Sequence, residues 1–390
     1  MSIYNEYDKL QTIFLGQMIP SKIWKHLKIK TNKIVNKIGD ETNEDLDKIQ
    51  KFLESKGVKV YRPNMDAAIE IYNKYGSISN PGAVRDWLWS YGDKLLVCNL
   101  SWIDRSNEHE FWQDSFDDLR KKGKTISYMP KDDIKKDWDE LSEKIPTYLE
   151  PNYNFKNDYP PKDNAHLTDI PILQDWQENC IDSLFYQKSL QKHFAIYSIL
   201  HKYHFFHAAS CFKHNDYIFS TPMGTIKGFT WFKKECEEVN PNVKFIIKND
   251  SSHIDGGTII TSRDECVSIY KNFLPLDVLY LNIKSNTSDK NSDQNDERYK
   301  QILRKWGRKK AHIALKLYYE NLAGYDQRVD FDINGISYKP NKLIATIFND
   351  AVKTFLEEHN LTVQNIPLRH REVIQGGIHC YTCDIDRVAD

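Results

Sequence analysis

The stretch that decides the fold is DDLRKKGKTISYMP, residues 117–130. A charged helical run stops at Gly123, whose missing Cβ permits the left-handed turn that ends a helix. A short β-branched strand follows and closes at Pro130. The same grammar recurs along the chain. Leu46, Ile49, Phe52 and Leu53 at helical spacing run into Gly57 and then VKVYRP, 58–63. FKKECEEVNPNVKFII (232–247) repeats it, and TFLEEHNLTVQNIPL (354–368) repeats it with Asn360 in the glycine's place. YKNFLPLDVLYLN (270–282) is a weaker copy. Apolar strands precede the copies: LQTIFLG (10–16), KLLVCN (94–99), YIFSTP (217–222), TIITS (258–262) and LIATIF (343–348).

One such unit cannot bury its own apolar face, so repetition implies an array. Strand–helix–strand units recurring about five times predict an α/β fold closed into a ring, with loops converging on a central cavity. No Gly-rich phosphate fingerprint follows the first strand, which counts against a nucleotide-binding sheet. The expected organisation is one domain over 1–390, interrupted by a polar insert and helix at about 284–325. The insert, KSNTSDKNSDQNDERY (284–299), has the composition of a surface loop and leads into a basic amphipathic helix near 299–322. Residues 139–168 read as a long irregular connection.

The chain's 390 residues carry a formal charge of −1, so the surplus of Lys and Arg that a nucleic-acid binder needs is absent. No run reaches the roughly 18–20 apolar residues that span a bilayer, and the first residues do not read as a secretory signal. Seven cysteines, an odd number thinly spread, argue against a disulfide framework and for a reducing, cytoplasmic setting.

Four segments could carry chemistry. GIHCYTCDIDR, 377–387, holds Cys380 and Cys383 beside His379. It admits a metal clip, a redox pair, a buried pair of structural thiols, or a nucleophile. A structural zinc needs four ligands and no second C-x-x-C exists. A redox pair belongs at a helix start early in a βαβ unit. A nucleophile needs a base and a substrate cradle from elsewhere. SSHIDGG, 251–257, offers both: His253 and Asp255 are two apart, and two glycines allow close backbone approach. Its plain alternative is a histidine and an aspartate at a loop edge. Asp86, ahead of Trp87, Leu88 and Trp89, is costly to bury unless it pairs with Arg85 or with an incoming cation. His201, His204 and His207 fall at three-residue steps, a spacing that suits ordinary packing better than a metal in the absence of matching acids.

In order along the chain these segments resemble the glycine amidinotransferase family of the guanidine-modifying superfamily, which also holds arginine deiminases. The matching residues are the opening SIYNEYDKLQTIFLG, then VRDWLWSYGDKLLV, NFKNDYP, HIDGG and GGIHCYTCDIDR. The resemblance implies a pentein-like α/β-propeller of about five ββαβ modules around an active-site pore. It implies Cys380 as the nucleophile, His253 as general acid/base, and Asp86 and Asp255 as the grip on a guanidinium, with Arg85 beside them. It implies arginine as donor, an amine as acceptor, neither cofactor nor metal, and a homodimer. An arginine hydrolase on the same fold is the alternative, as is a guanidine-binding protein with impaired catalysis. One run departs from the pattern: where the family has Asp-Ala-Ala-Asp, this chain has His207-Ala208-Ala209-Ser210. His207 then stands where a carboxylate would orient the catalytic histidine, and Ser210 stands at the second acid.

Overall fold

The computed structural model describes residues 4–29, 33–76, 78–100, 105, 107–132, 203–221, 224–247, 254–271, 273, 275–282, 329–374 and 376–389. The polar insert with its basic helix, the connection over 139–168, and both His201 and His253 lie outside these residues.

Along the chain the strands are β1 (Lys9–Leu15), β2 (Lys59–Tyr61), β3 (Leu88–Tyr91), β4 (Lys94–Val97), β5 (Thr125–Tyr128), β6 (Cys211–His214), β7 (Tyr217–Ser220) and β8 (Lys244–Ile247). They continue with β9 (Thr258–Ile260), β10 (Glu265–Ser268), β11 (Asp277–Tyr280), β12 (Ile336–Lys339), β13 (Lys342–Ala345), β14 (Thr362–Asn365) and β15 (Thr382–Val388). Among the described residues they form five three-stranded sheets, each an antiparallel pair extended by a parallel third strand. A parallel neighbour requires a crossover. In four sheets a helix supplies it: Lys33–Ser55, Gln113–Lys121, Ile226–Val239 and Asp350–Glu358. These are the repeated units read in the sequence, each preceded or closed by a further antiparallel strand.

The turns that punctuate the repeats have the expected physical cause. Gly57, Gly123 and Asn360 take φ of 80°, 87° and 59°. Helix starts are capped locally: Thr225 accepts from the Gly228 N–H, and Asn349 from the Ala351 N–H. The central strands β4, β7, β10 and β13 are largely buried, whereas the parallel outer strands β5, β8, β11 and β14 are partly exposed. Lysine, threonine and glutamine there blunt an open sheet edge.

One unit is registered differently from the sequence reading. TIITS does not precede the crossover; it is the hairpin partner β9, and β10 is the central strand. The weak copy at 270–282 has no helix among its described residues, only a bridge between Phe273 and Leu276 before β11. Pro275, close to the start of that copy's strand, lacks the N–H that a helix would use.

By contact the chain divides into two compact units. The first holds residues 1–69, 80–85 and 255–390, with the sheets β15-β1-β2, β11-β10-β9 and β12-β13-β14. In it the first strand pairs with the last, Phe14 opposite Cys383 and Leu15 opposite Thr382. Leu10, Ile13, Leu46, Ile49, Leu53, Ile344 and Ile378 pack with Cys380 and Tyr381 in one apolar cluster. Burial of each such aliphatic side chain is worth roughly 1.5–3 kcal/mol. Glycine is obligatory where segments cross here: a Cβ on Gly16 would lie 1.7 Å from the Gly82 carbonyl oxygen. The second unit, 70–79 and 86–254, holds β3-β4-β5 and β6-β7-β8. Aromatic packing dominates it: Phe206 stacks on Phe232 at 4.4 Å between ring centroids, and Phe212 on Phe219 at 4.6 Å.

No helix among the described residues is long and apolar enough to cross a membrane.

Candidate active site

Cys380 sits in the turn Ile378–Tyr381 that delivers the chain into β15, and is 8% exposed. The turn is short and crowded. A Cβ on Gly376 would come 3.3 Å from Cys380 Sγ, and one on Gly377 would come 2.6 Å from Asn334 Cβ. The two glycines are therefore there for close approach. Asn334, in the bend between the helical turn Val329–Asp332 and β12, grips the cysteine at two points. Its Nδ2–H donates to Cys380 Sγ at 3.3 Å, and its Oδ1 accepts the Cys380 backbone N–H at 3.2 Å. The same Nδ2 lies 3.4 Å from the Asp255 carbonyl oxygen, so Asn334 joins the cysteine turn to the HIDGG segment.

Asp255 occupies the 3-10 turn Ile254–Gly257 and is fully buried. Its Oδ2 lies 2.9 Å from His379 Nδ1. Its Oδ1 is buried with no hydrogen-bond partner among the described residues. An unsatisfied carboxylate oxygen costs free energy unless a ligand or water completes it, and this one belongs to the segment singled out in the sequence.

His379 is the hinge of a buried ion network. Its Nε2 faces Glu6 Oε2 at 3.4 Å. Glu6 Oε1 in turn accepts from Arg85 Nη2 at 2.7 Å. Arg85 Nη1 lies 3.7 Å from Asp384, and Asp384 Oδ2 accepts from Arg387 Nε at 2.8 Å. Glu6 is presented by a local turn in which Asn5 Oδ1 accepts the N–H groups of Tyr7 and Asp8. Burial and the Arg85 charge push the His379 imidazole down, but the hydrogen bonds to Asp255 and Glu6 prevail and hold it above the ordinary histidine range. Arg85 is likewise buried, yet Glu6 and Asp384 hold it firmly charged. Its backbone N–H donates to the Cys380 carbonyl at 3.1 Å. Several of these charges line one polar cavity with Thr258, Ser337 and Thr382.

Asp86 belongs to the second unit and has a partner the sequence did not suggest. Arg105 Nη1 lies 2.5 Å from Asp86 Oδ2, and the same guanidinium forks onto Glu108 at 2.6 and 2.8 Å. Ser79 Oγ donates to Glu108 at 3.1 Å. All four side chains are buried. Burial outweighs the nearby cation and raises the Glu108 carboxyl, while Glu108 and Asp86 outweigh burial at Arg105 and raise it.

His207, also in the second unit, is 2% exposed and leads into β6. Its carbonyl accepts the Ser210 backbone N–H and the Ser210 hydroxyl, at 3.0 and 2.6 Å. The substituted run thus closes its own turn, through a hydroxyl donor that an ionised aspartate at the second position would not supply. His204 pairs with Asp132 at 3.0 Å. Among the described residues no group of three or more His, Cys, Asp and Glu is set to hold a metal ion, and all described cysteines are free thiols.

Cys380 and Asp255, two of the site residues expected from the sequence, are therefore brought together through Asn334 and His379. Arg85 stands behind them in the charge network. Sequence reasoning passed over Asn334, His379, Glu6 and Arg105. For His379 and Glu6 the signal was present, because both lie inside quoted motifs; for Asn334 and Arg105 there was none.

No family model matches the chain, and no curated protein matches it. Solved structures do. An amidinotransferase from Microseira wollei, of the saxitoxin biosynthetic pathway, aligns with TM-score 0.61 and 14% identity over 100% of this chain and 98% of its own. An inosamine-phosphate amidinotransferase from Streptomyces griseus aligns with TM-score 0.59 and 15% identity over 100% and 97%. A dimethylarginine dimethylaminohydrolase, as an adduct with S-methyl-L-thiocitrulline, aligns with TM-score 0.52 and 7% identity over 96% and 100%. With five modules of the expected kind and end-to-end alignment at this low identity, the chain carries the α/β fold of the pentein amidinotransferases.

Proposed function

We propose that this protein is an amidinotransferase that moves the amidino group of arginine to an amine through a covalent amidino-cysteine on Cys380. One observation carries the reading. A cysteine held between an amide N–H and apolar packing shares its site with a buried aspartate, one oxygen of which has no partner among the described residues. That combination suits a nucleophile facing a planar cation.

A guanidinium carbon is a poor electrophile because its charge is delocalised. It reacts only when held rigidly against a thiolate. The Asn334 N–H favours the anionic sulfur, and a bound cation favours it further. Cys380 Sγ bonds to the guanidino carbon, and the bond from that carbon to the arginine side-chain nitrogen breaks. The departing nitrogen takes its proton from His253, which this reading makes the general acid, and leaves as the amine of ornithine. An acceptor amine then gives a proton back to His253 and attacks the same carbon; the carbon–sulfur bond breaks and the thiolate returns. Asp86 and Asp255 are assigned to the guanidinium, and His207 to the orientation of His253. A carboxylate in that position would also stabilise the imidazolium, so His207 predicts slow turnover.

A second reading, hydrolysis, draws support from the likeness to a dimethylarginine dimethylaminohydrolase. Water would then take the acceptor's place after loss of ammonia, giving citrulline. The test is incubation with arginine and a panel of amines, with intact-mass analysis of Cys380 and product detection. Ornithine with an amidinated amine supports transfer, and citrulline without added amine supports hydrolysis. Neither product, with no mass shift on Cys380, sinks both.

A further inference from the structure

The ion pairs Asp255–His379, His379–Glu6, Glu6–Arg85, Arg85–Asp384 and Asp384–Arg387 run as one buried chain of alternating sign. With His379 protonated its charges cancel; without that proton one negative charge is left over. The groups that face His379 among the described residues are Asp255, Glu6 and the more distant Arg85. Asp255 spends Oδ2 on His379, while its Oδ1 is buried with no hydrogen-bond partner among the described residues.

From this geometry we infer that His379 is a positioning residue whose proton controls guanidinium affinity: it fixes Asp255 so that a single oxygen meets the substrate, and it competes with the substrate for that carboxylate's charge. The inference rests on the guanidinium reading above and deepens it. Two consequences follow. Asp255 offers a ligand one acceptor oxygen and not the two-toothed fork that a carboxylate can give an isolated guanidinium. Secondly, proton and substrate are coupled, and the coupling is reciprocal. A substrate cation that binds better when His379 is neutral must, when bound, lower the affinity of His379 for its proton by the same factor. The raised affinity of His379 for its proton, set by Asp255 and Glu6, fits this competition.

The experiment uses the full chain with Cys380→Ser, which removes both the covalent step and the thiol's own titration, and arginine as the probe. Binding is measured by calorimetry from pH 6 to pH 9, with and without His379→Gln. In the single variant affinity should climb with pH by about tenfold more than in the double variant, the size expected of one nearby charge. Any share contributed by His253 is common to both proteins and cancels. Identical pH profiles overturn the inference. A second arm needs no ligand: in protein carrying 13C-labelled histidine, the His379 resonance, identified by its loss in His379→Gln, should titrate at lower pH in Asp255→Asn. An unmoved titration overturns the inference as well. Should arginine bind neither protein while Asp255→Asn does move the His379 titration, the Asp255–His379 clamp stands and the guanidinium reading is what has failed.

Discussion

Asn334 and Cys380, 46 residues apart in the chain, hold each other by two hydrogen bonds, from amide to sulfur at 3.3 Å and from backbone to amide oxygen at 3.2 Å. A neutral donor aimed at sulfur favours the thiolate; an acid in its place opposes it. Asn334→Asp should therefore slow alkylation of Cys380 by iodoacetamide at pH 7 by about tenfold, with the rate recovering as the pH is raised. Asn334→Ala should fall between the two. A rate–pH profile of Asn334→Asp that overlays the native one would show that the amide does not touch the reactive sulfur.

Gly377 is as constrained as the residues it serves. A methyl group there would meet Asn334 Cβ and its backbone oxygen, both at 2.6 Å. Relief requires the cysteine turn or Asn334 to move by a substantial part of an ångström. Overpacking of this kind costs about 1–3 kcal/mol of stability. Displacement by 1 Å can cost about 100-fold in rate. Gly377→Ala should thus remain folded by circular dichroism while its single-turnover labelling of Cys380 by arginine drops by about that factor. Unchanged labelling would mean that the turn adapts freely.

The two cysteines of the C-x-x-C pair have separate duties. Cys380 borders the site, while Cys383 is 1% exposed on β15 opposite Phe14. Cys380→Ser should abolish any arginine-dependent mass increase with little change in melting temperature. Cys383→Ser buries a hydroxyl in its place, at about 1–3 kcal/mol, and should lower the melting temperature while keeping the adduct. The opposite pattern in mass spectrometry would reassign the nucleophile.

His379 also links folding to pH. Its proton affinity in the folded chain lies above the ordinary value because Asp255 and Glu6 accept from it. A group raised on folding stabilises most when the unfolded chain is also protonated, below about pH 6.5, and that contribution is lost as pH rises through the folded-state titration. Urea denaturation should show stability falling from neutral to mildly alkaline pH, and His379→Gln should flatten that fall. A native slope equal to that of the variant would remove His379 from the account.

Much of the fold was written locally. Gly57, Gly123 and Asn360 mark helix ends because the left-handed turn excludes most other residues, and the apolar runs of β4, β7 and β13 mark strands buried between neighbours. The segment 258–282 misled for an equally local reason. β9 is β-branched throughout while the central β10 carries Glu265 and Ser268, so the stronger strand signal falls on the hairpin partner.

What the sequence determined by itself is the repeating unit, since residue type and near-neighbour spacing carry it; Cys380 and Asp255 are singled out by the family resemblance. Only the tertiary structure decided that Asn334 reaches the sulfur, that His379 occupies one oxygen of Asp255, and that Arg105 claims Asp86. The reason is physical: backbone geometry repeats over a few residues and leaves a periodic trace, but pairing between charges such as Asp255 and His379, 124 positions apart, is fixed by burial, which forces every desolvated group to find whichever partner the fold brings within reach.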